Sequence, residues 1–570
     1  MQKTCSQCRA DFEVTEDDLK FYEKISPTIN DIRYTIPPPT LCPYCRMQRR
    51  QCFRNERAFY SRKCDLTGQD IIALYSPEKP FKVYNQEDWW GDGWDPLQYG
   101  RPFDFSRPFF EQFAELWKDV PMLSLWNIKC ENSTYGTNCM GLKNSYMCIN
   151  SDFGQNNLYD YVCEFCNDCV DCSFIQKSEL CYEILDCINA YECTFSERLE
   201  NCQDCHFSSD LVACSKCFGC HGLRHKTLHM FNQPVSQEEW NERMHTLVLT
   251  PAVFAAMREH SNHIRLQTPH LCAKIIQCEN ATGDHLYQCR NAHQCFDVTE
   301  AENIKYVTYA PSKTVNAQDA YACGLLEWVY EFLGGAAGIF NVAFAAFTAN
   351  GLDYSYYCVL CVNGCSHLFG CIGLKRKEYC ILNKQYTKEE YETLVPKIID
   401  HMRETGEWGE YFPASISPFA YNETIAQEEF PLTRDEVLGR GWRWRESEKK
   451  DYQPQTCDLA ENIADVPEAI TEELLACVCA DCGGSCPHAG AACGKNYRII
   501  PQELRFYKKM RLPIPQKCPD CRHRNRLKLR NPRTLWDRKC QKCEAAIKTT
   551  YSPERPEIVC CEKCYLETVY

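Results

Sequence analysis

The chain lacks a long apolar run. Its best stretch, Phe332 to Phe347 (FLGGAAGIFNVAFAAF), has 16 residues, contains Asn341 and follows Glu327 and Glu331, whereas a membrane-crossing helix needs about 20 apolar residues. A buried small-residue packing surface is the expectation there, with no membrane partner. The start, MQKTCSQC, places cysteines where a secretory signal would carry an apolar segment, so a reducing, cytoplasmic location is expected. The chain also lacks an excess of positive charge: its formal net charge is −14, which excludes a uniformly basic nucleic-acid coat. GLRHKTLH, with His221, His225 and His229 four apart, could place metal ligands on one helix face but lacks the glutamate of a zinc-hydrolase helix.

What the chain has is cysteine, 44 in 570 residues. A chain this long does not need disulfide stapling, and in a reducing compartment Cys-x-x-Cys pairs more often hold metal. The length is that of three or four domains, on the order of 150 residues each.

One module appears at both ends. CPYCRMQRRQCFRNERAFYSRKC (42–64) and CPDCRHRNRLKLRNPRTLWDRKC (518–540) run in register at an offset of 476, with YSPEKP at Tyr75 answered by YSPERP at Tyr551, and Phe21-Tyr22 by Phe506-Tyr507. Zinc bound by thiolates takes four ligands, and each Cys-x-x-Cys knuckle supplies two from one tight turn. Cys540/Cys543 with Cys561/Cys564 form one such set, with AIKTTYSPERPEIVC between them expected as a hairpin; Cys5/Cys8 with Cys42/Cys45 form another, spaced by a short helix or turn and an extended return. Cys518 and Cys521 match the second of these knuckles and Cys493 matches Cys8, but Gly490 stands where Cys5 has its match. Cys477, Cys479, Cys482 and Cys486 all remain open as the fourth ligand. Conversely, the N-terminal copy has Cys64, Thr67, Asn85 and Asp88 at the positions of 540, 543, 561 and 564. One thiolate in four does not hold structural zinc, so this half is expected to be metal-free and held by apolar packing around Trp89 and Trp90.

Both copies are arginine-rich. Residues 501–550 carry 15 Lys and Arg against 4 Asp and Glu, and 41–64 carry 7 against 1, leaving −31 on the rest. Arg46, Arg49, Arg50, Arg54 and Arg57, and Arg522, Arg524, Arg526, Arg530 and Arg533, are spaced to line helical faces and offer bidentate donors to phosphates, with Tyr60 and Trp536 able to stack on bases. The same arginines could instead dock on the acidic middle.

In that middle, Phe153, Phe174 and Phe195, Cys172, Cys193 and Cys214, and the pairs Cys148/Cys169, Cys166/Cys187 and Cys181/Cys202 recur at 21 residues, the mark of a stacked repeat. A second block restates the first: CENST at 130 recurs as CENAT at 278, and FGCHGLRHK at 218 as FGCIGLKRK at 369, offsets of 148 and 151. Each block runs into a helix-capping sequence, SQEEW at 236 and TKEEY at 387. CEFCNDCVDC at Cys163 lacks ferredoxin spacing, and its thiols are expected as small buried residues. Acidic repeat residues including Asp152, Asp160, Asp171 and Asp186 read as a solvated face more readily than as catalytic carboxylates.

The expected fold class is mixed and mainly β: a central two-block, parallel β-helix-like solenoid with capping helices, flanked by small α+β zinc-ribbon or treble-clef modules. The expected boundaries are 1–95 for the N-terminal zinc-ribbon module, 96–126 a connecting helix, 127–235 solenoid block 1, 236–270 a helical cap, 271–383 block 2, 384–456 a cap and linker, and 457–570 the C-terminal module. C-x-x-C, F-Y-x-K and C-P-x-C-R at the ends, with RNER, RKCDLTG, YSPEKP, FDFSRPFFEQF, YCILNKQYT and EWGEYFP, resemble a large uncharacterised bacterial zinc-ribbon family over nearly the whole chain. The resemblance implies zinc at Cys5, Cys8, Cys42, Cys45, Cys518, Cys521, Cys540, Cys543, Cys561 and Cys564, and no particular activity. The leading expectation is a non-enzymatic zinc protein that binds RNA, DNA or a nucleoprotein surface through its arginine-rich ribbons. The alternatives are a protein-interaction scaffold using the acidic repeat and, behind it, a carbohydrate-active or metal-dependent enzyme.

Overall fold

The computed structural model describes residues 1–322, 326–335, 339–347, 351–446, 453–479, 493 and 496–569, without the side chains of 326 and 328. It is mixed and mainly β. Two units are compact: 1–125 with 273–445, and 126–272 with 446–570. Each terminal module thus belongs with the block more distant in sequence, the N-terminal one with the second block and the C-terminal one with the first.

The first block is a parallel ladder in which the chain pairs with itself every 12 residues: Tyr161 with Ser173, Ser173 with Leu185, Leu185 with Glu197, Glu197 with Ser209. The cause is local. From Asn132 to Lys216 every third residue is left-handed, with φ between +46° and +65°, a conformation that favours Asn, Asp and Gly but is also imposed here on Phe153, Val162 and Leu180. The residue after each such corner is buried without exception from Cys139 to Cys220, and 14 of these 28 positions are cysteine. Most of the others are Ser, Gly, Ala, Leu or Ile, so the interior selects small side chains. The thiols satisfy themselves on carbonyls two residues back and nine ahead, as Cys181 does on Glu179 (3.3 Å) and Ala190 (3.5 Å).

The 21-residue repeat is therefore corrected to 12. Twenty-one is a multiple of the three-residue corner spacing but not of 12, so residues 21 apart share a phase without stacking. Phe153 stacks on Phe165, ring centres 5.2 Å apart, and Phe195 on Phe207 at 4.8 Å.

The second block is a longer parallel ladder whose interior mixes aliphatic side chains, among them Leu286, Ala292, Val298, Ile304 and Val329, with seven buried cysteines. Its steps vary. Glu279 pairs with Arg290, 11 residues on; Ala301 with Thr314, Leu326 with Ile339, Ile339 with Leu352 and Leu352 with Cys365 are 13 apart. One short and four long steps add three residues, which is why the offset between the blocks grows from 148 to 151. The described residues of the stretch from Phe332 to Phe347 include the ladder strand Ile339–Ala343, and no helix among the described residues is long and apolar enough to cross a membrane.

Each ladder ends in an antiparallel return, Gln233–Pro234 and Lys384–Gln385, and then a capped helix. Ser236 Oγ accepts from the Glu239 amide at Gln237–Thr246, and Thr387 and Glu390 complete a capping box at Lys388–Glu404.

Candidate metal centres and the arginine clamp

Three groups of four cysteines bring their sulfurs within 4.8 Å of one another. A tetrahedral thiolate site with bonds of about 2.3 Å has S···S edges of about 3.8 Å. Cys8···Cys42 is 3.7 Å, Cys493···Cys518 3.9 Å and Cys543···Cys561 3.7 Å.

The first group is Cys5, Cys8, Cys42 and Cys45. Cys5 and Cys8 occupy the turn between the strands Gln2–Thr4 and Asp11–Glu13. Cys42 is the N-cap of the Pro43–Gln51 helix, with Pro43 at its first position. Hydrogen bonding from Cys45 lowers the Cys42 thiol to about 5, favouring the thiolate that metals require.

In the second group Cys477 joins Cys493, Cys518 and Cys521, so that among the described residues it is the one of the four cysteines left open by spacing that lies with them. Cys477 sits beside the Leu475–Ala476 strand, which pairs with Asn496–Tyr497, and accepts the Cys518 amide at 3.3 Å. Hydrogen bonds from Cys518 and Cys521 lower its thiol to about 2. Cys479 stands outside the group, and Cys482 and Cys486 lie outside the described residues.

In the third, Cys540, Cys543, Cys561 and Cys564, the hairpin differs from the expectation. Trp536–Lys539 pairs with Ala546–Thr549 around the first knuckle, while Val559–Cys560 pairs in parallel with His270–Leu271. The cognate N-terminal positions still converge without a metal set: Cys64 Sγ and Thr67 Oγ1 each donate to Asp88 Oδ2 at 3.3 Å, and the Asn85 amide donates to Cys64 Sγ at 3.3 Å. Beside them Trp89 is fully buried against Trp90 and Trp94, and its indole N–H donates to Pro121 O.

The arginines point inward. Arg46 and Arg50 are 1% exposed, and Arg522 and Arg526 are 2% exposed. Arg46 makes a fork onto Asp319 (3.0 and 2.9 Å), and Arg50 Nη1 reaches the same carboxylate at 3.1 Å. In the other unit Arg522 and Arg526 Nη1 lie 3.1 and 2.7 Å from Asp171. Asp171 and Asp319 are fully buried left-handed corners, 148 residues apart. Around them the match continues: Arg46 lies over Tyr306 and Arg522 over Tyr159, and Tyr22 packs edge-on against Tyr330 as Tyr507 does against Tyr182. Arg49 adds pairs to Glu331 (2.5 Å) and Glu410 (2.8 Å), while Arg522 also meets Glu503 at 3.0 Å. Three arginines face three carboxylates in one unit and two face two in the other, so each buried set is neutral, the condition under which buried charge is tolerated.

The phosphate-facing role expected of these side chains is thus corrected for Arg46, Arg49, Arg50, Arg522 and Arg526, which are buried on carboxylates, and for Arg54, which is buried and paired with Glu56. Arg530 pairs with Asp186 at 3.1 Å and lies over Phe174; Arg524 donates to Cys521 Sγ at 3.1 Å. Arg57 and Arg533 are half-buried. Tyr60, expected as a base-stacking ring, donates to Glu423 at 2.6 Å and lies beneath Arg445. His221, His225 and His229 share no helix: His225 is a left-handed corner, and His229 lies in the strand Thr227–Met230. Cys163, Cys166, Cys169 and Cys172 form no compact ligand group.

Comparison with family models, with curated proteins and with solved structures finds no match. What stands of the zinc-ribbon resemblance is the three cysteine groups. The carboxylates Asp319, Glu331 and Glu410 escaped the sequence reading, although the 148-residue offset that relates CENST to CENAT also relates Asp171 to Asp319.

Proposed function

We propose that the protein is a non-enzymatic scaffold of two β-solenoids, each locked by a zinc-stapled module, with three structural zinc ions and a protein as its partner. A left-handed corner every three residues and self-pairing every 12 support a four-sided coil in the first ladder. Four thiolates per group leave no open position on zinc for catalysis. Zinc fits the donor sets by count and sulfur spacing, and each set holds a lowered thiol, Cys42, Cys477 or Cys540. Its role would be to hold the Pro43–Gln51 and Pro519–Leu527 helices, whose first turns carry Cys45 and Cys521 immediately before Arg46 and Arg522.

The observation that carries this reading is the inward clamp: six of the ten arginines that would serve a nucleic acid, Arg46, Arg49, Arg50, Arg522, Arg526 and Arg530, are spent on ladder carboxylates. Limited proteolysis between modules and ladders, followed by size-exclusion chromatography, tests it. Buried pairs are screened far less by salt than exposed ones, so the fragments should stay together from low to high salt. Fragments that separate in salt and then retain RNA or DNA would overturn the reading in favour of nucleic acid.

A further inference from the structure

A buried histidine pair joins the first ladder to the ribbon that carries Cys540, Cys543, Cys561 and Cys564. His221 stands in the ladder column Glu197, Ser209, His221, and His270 belongs to the strand His270–Leu271, which pairs with Val559–Cys560 of the ribbon. The two rings lie 4.6 Å apart and are 1% and 2% exposed. His221 Nδ1 is 2.6 Å from Ser209 Oγ, and its Nε2 has no hydrogen-bond partner among the described residues. His270 donates from Nε2 to Arg265 O at 2.9 Å, and the Tyr551 hydroxyl lies 3.4 Å from its Nδ1.

The fold does not require histidine at either place. Ile372 is the counterpart of His221: its amide donates to Asn383 Oδ1 at 2.7 Å, as the His221 amide does to Asn232 Oδ1 at 2.9 Å. Met122 is the counterpart of His270, pairing with Val83 as His270 pairs with Val559. Both counterparts are fully buried. One unit thus fills with apolar side chains the two positions at which the other places imidazoles, one of them with an unsatisfied ring nitrogen, an arrangement that costs stability.

The surroundings also disfavour a proton on either ring. On the ladder, Glu197 pairs with Arg198 at 2.7 Å and Asp210 with Arg224 at 3.0 Å, while the Tyr565 hydroxyl of the ribbon donates to Asp210. Arg265 of the Pro251–Gln267 helix (3.1 Å) and Arg555 of the ribbon share Glu557. Four guanidinium groups thus face three carboxylates, each already paired. A protonated imidazole finds no carboxylate of its own, and two protonated rings repel each other. Burial, followed by the neighbouring ring for His221 and by Arg198 for His270, holds both below the ordinary histidine value, His270 at about 4. A histidine depressed in the folded state contributes stability above its unfolded value of about 6.5, and that contribution is lost as pH falls toward the folded value.

We infer that His221 and His270 form an acid-opened latch that releases the C-terminal ribbon from the first ladder, while the N-terminal ribbon, whose counterpart residues are apolar, stays in place.

The test follows the full-length zinc-loaded protein by amide hydrogen exchange, corrected for the intrinsic pH dependence of exchange, with bound zinc counted at each pH by native mass spectrometry. The His270 and Cys272 amides, which donate to Ile558 O and Cys560 O, should lose protection by about tenfold per histidine between pH 6.5 and 5. The Met122 and Ser124 amides, which donate to Lys82 O and Tyr84 O, should keep theirs, and zinc should remain bound. His221→Ile/His270→Met, which installs the residues of the other unit, should abolish the loss. Equal loss in variant and wild type, equal loss at both seams, or loss that tracks zinc release overturns the inference. Hydrogen exchange at the imidazole C2 positions of the wild type reports the two titrations whatever the variant does, and a pair that titrates at about 6.5 or above contradicts the latch.

Discussion

The two units reach one docking solution with different numbers of four-cysteine groups. Both lay a helix that begins Cys-Pro-x-Cys-Arg on a ladder, and both close two arginines on one buried aspartate, Asp319 or Asp171. Yet the N-terminal module has one four-cysteine group and the C-terminal module two. The difference teaches that the clamp and the outer ribbon are separable. Where the C-terminal copy keeps Cys540, Cys543, Cys561 and Cys564, four sulfurs converge; where the N-terminal copy has Cys64, Thr67, Asn85 and Asp88, hydrogen bonds and the Trp89 core hold the same region.

The largest effect should come from the metal group that begins each clamp helix. Structural zinc contributes roughly 10–16 kcal/mol in small zinc-binding peptides. Cys42→Ala and Cys518→Ala should therefore release the corresponding module to protease, whereas Cys540→Ala should open the C-terminal ribbon and leave the Arg522–Asp171 contact protected. Equal protease sensitivity in all three variants would mean that the clamp and the ribbon are one cooperative piece.

Next come the aspartates. Asp319→Ala and Asp171→Ala each strand two buried guanidinium groups, and denaturant unfolding should report a loss of about 3–5 kcal/mol in either unit. The units should part at the next helical position. Arg49→Ala strands the fully buried Glu331 and leaves Glu410 with its Thr40 bonds alone, and should cost a similar amount, while Asn525→Ala, its half-buried counterpart, should stay within about 0.5 kcal/mol.

The sequence makes the modules readable because zinc ligation demands particular residues at particular spacings, and the capped helices because Ser236, Thr387 and Glu390 sit at fixed capping positions. The coil length was hidden. A three-residue corner spacing makes 12 and 21 look alike, and the steps of 11 and 13 in the second ladder blur its period. Which way the arginines face was hidden as well, since their spacing on a helix is the same whether a phosphate or Asp319 lies opposite. Asp171 resembled any other acidic residue of the repeat until the ladder register placed it opposite Arg522 and Arg526.

A smaller effect separates the ladders by pH. Asp160 occupies an interior position where the second ladder has Val307, and burial raises its carboxyl to about 8. A raised folded-state value means that the carboxyl contributes its full stability below the unfolded value near 4, and that this contribution is lost as pH rises through about 8. Asp160→Asn should remove that dependence and stabilise the 126–272 unit at pH 7 by on the order of 1–3 kcal/mol. Its amide can keep the bond that Asp160 Oδ1 accepts from the Cys172 amide, as Asn157 Oδ1 does from Cys169. Urea melts between pH 5 and 9 measure both the slope and the gain.

The comparison rests on metal count, and native mass spectrometry of the full-length protein beside Thr67→Cys/Asn85→Cys/Asp88→Cys measures it. The account predicts three zinc ions on the wild type, one per four-cysteine group, and a fourth on the variant, because the substituted positions already converge around Cys64. A wild type with any other count, or a variant that still carries three, would contradict it.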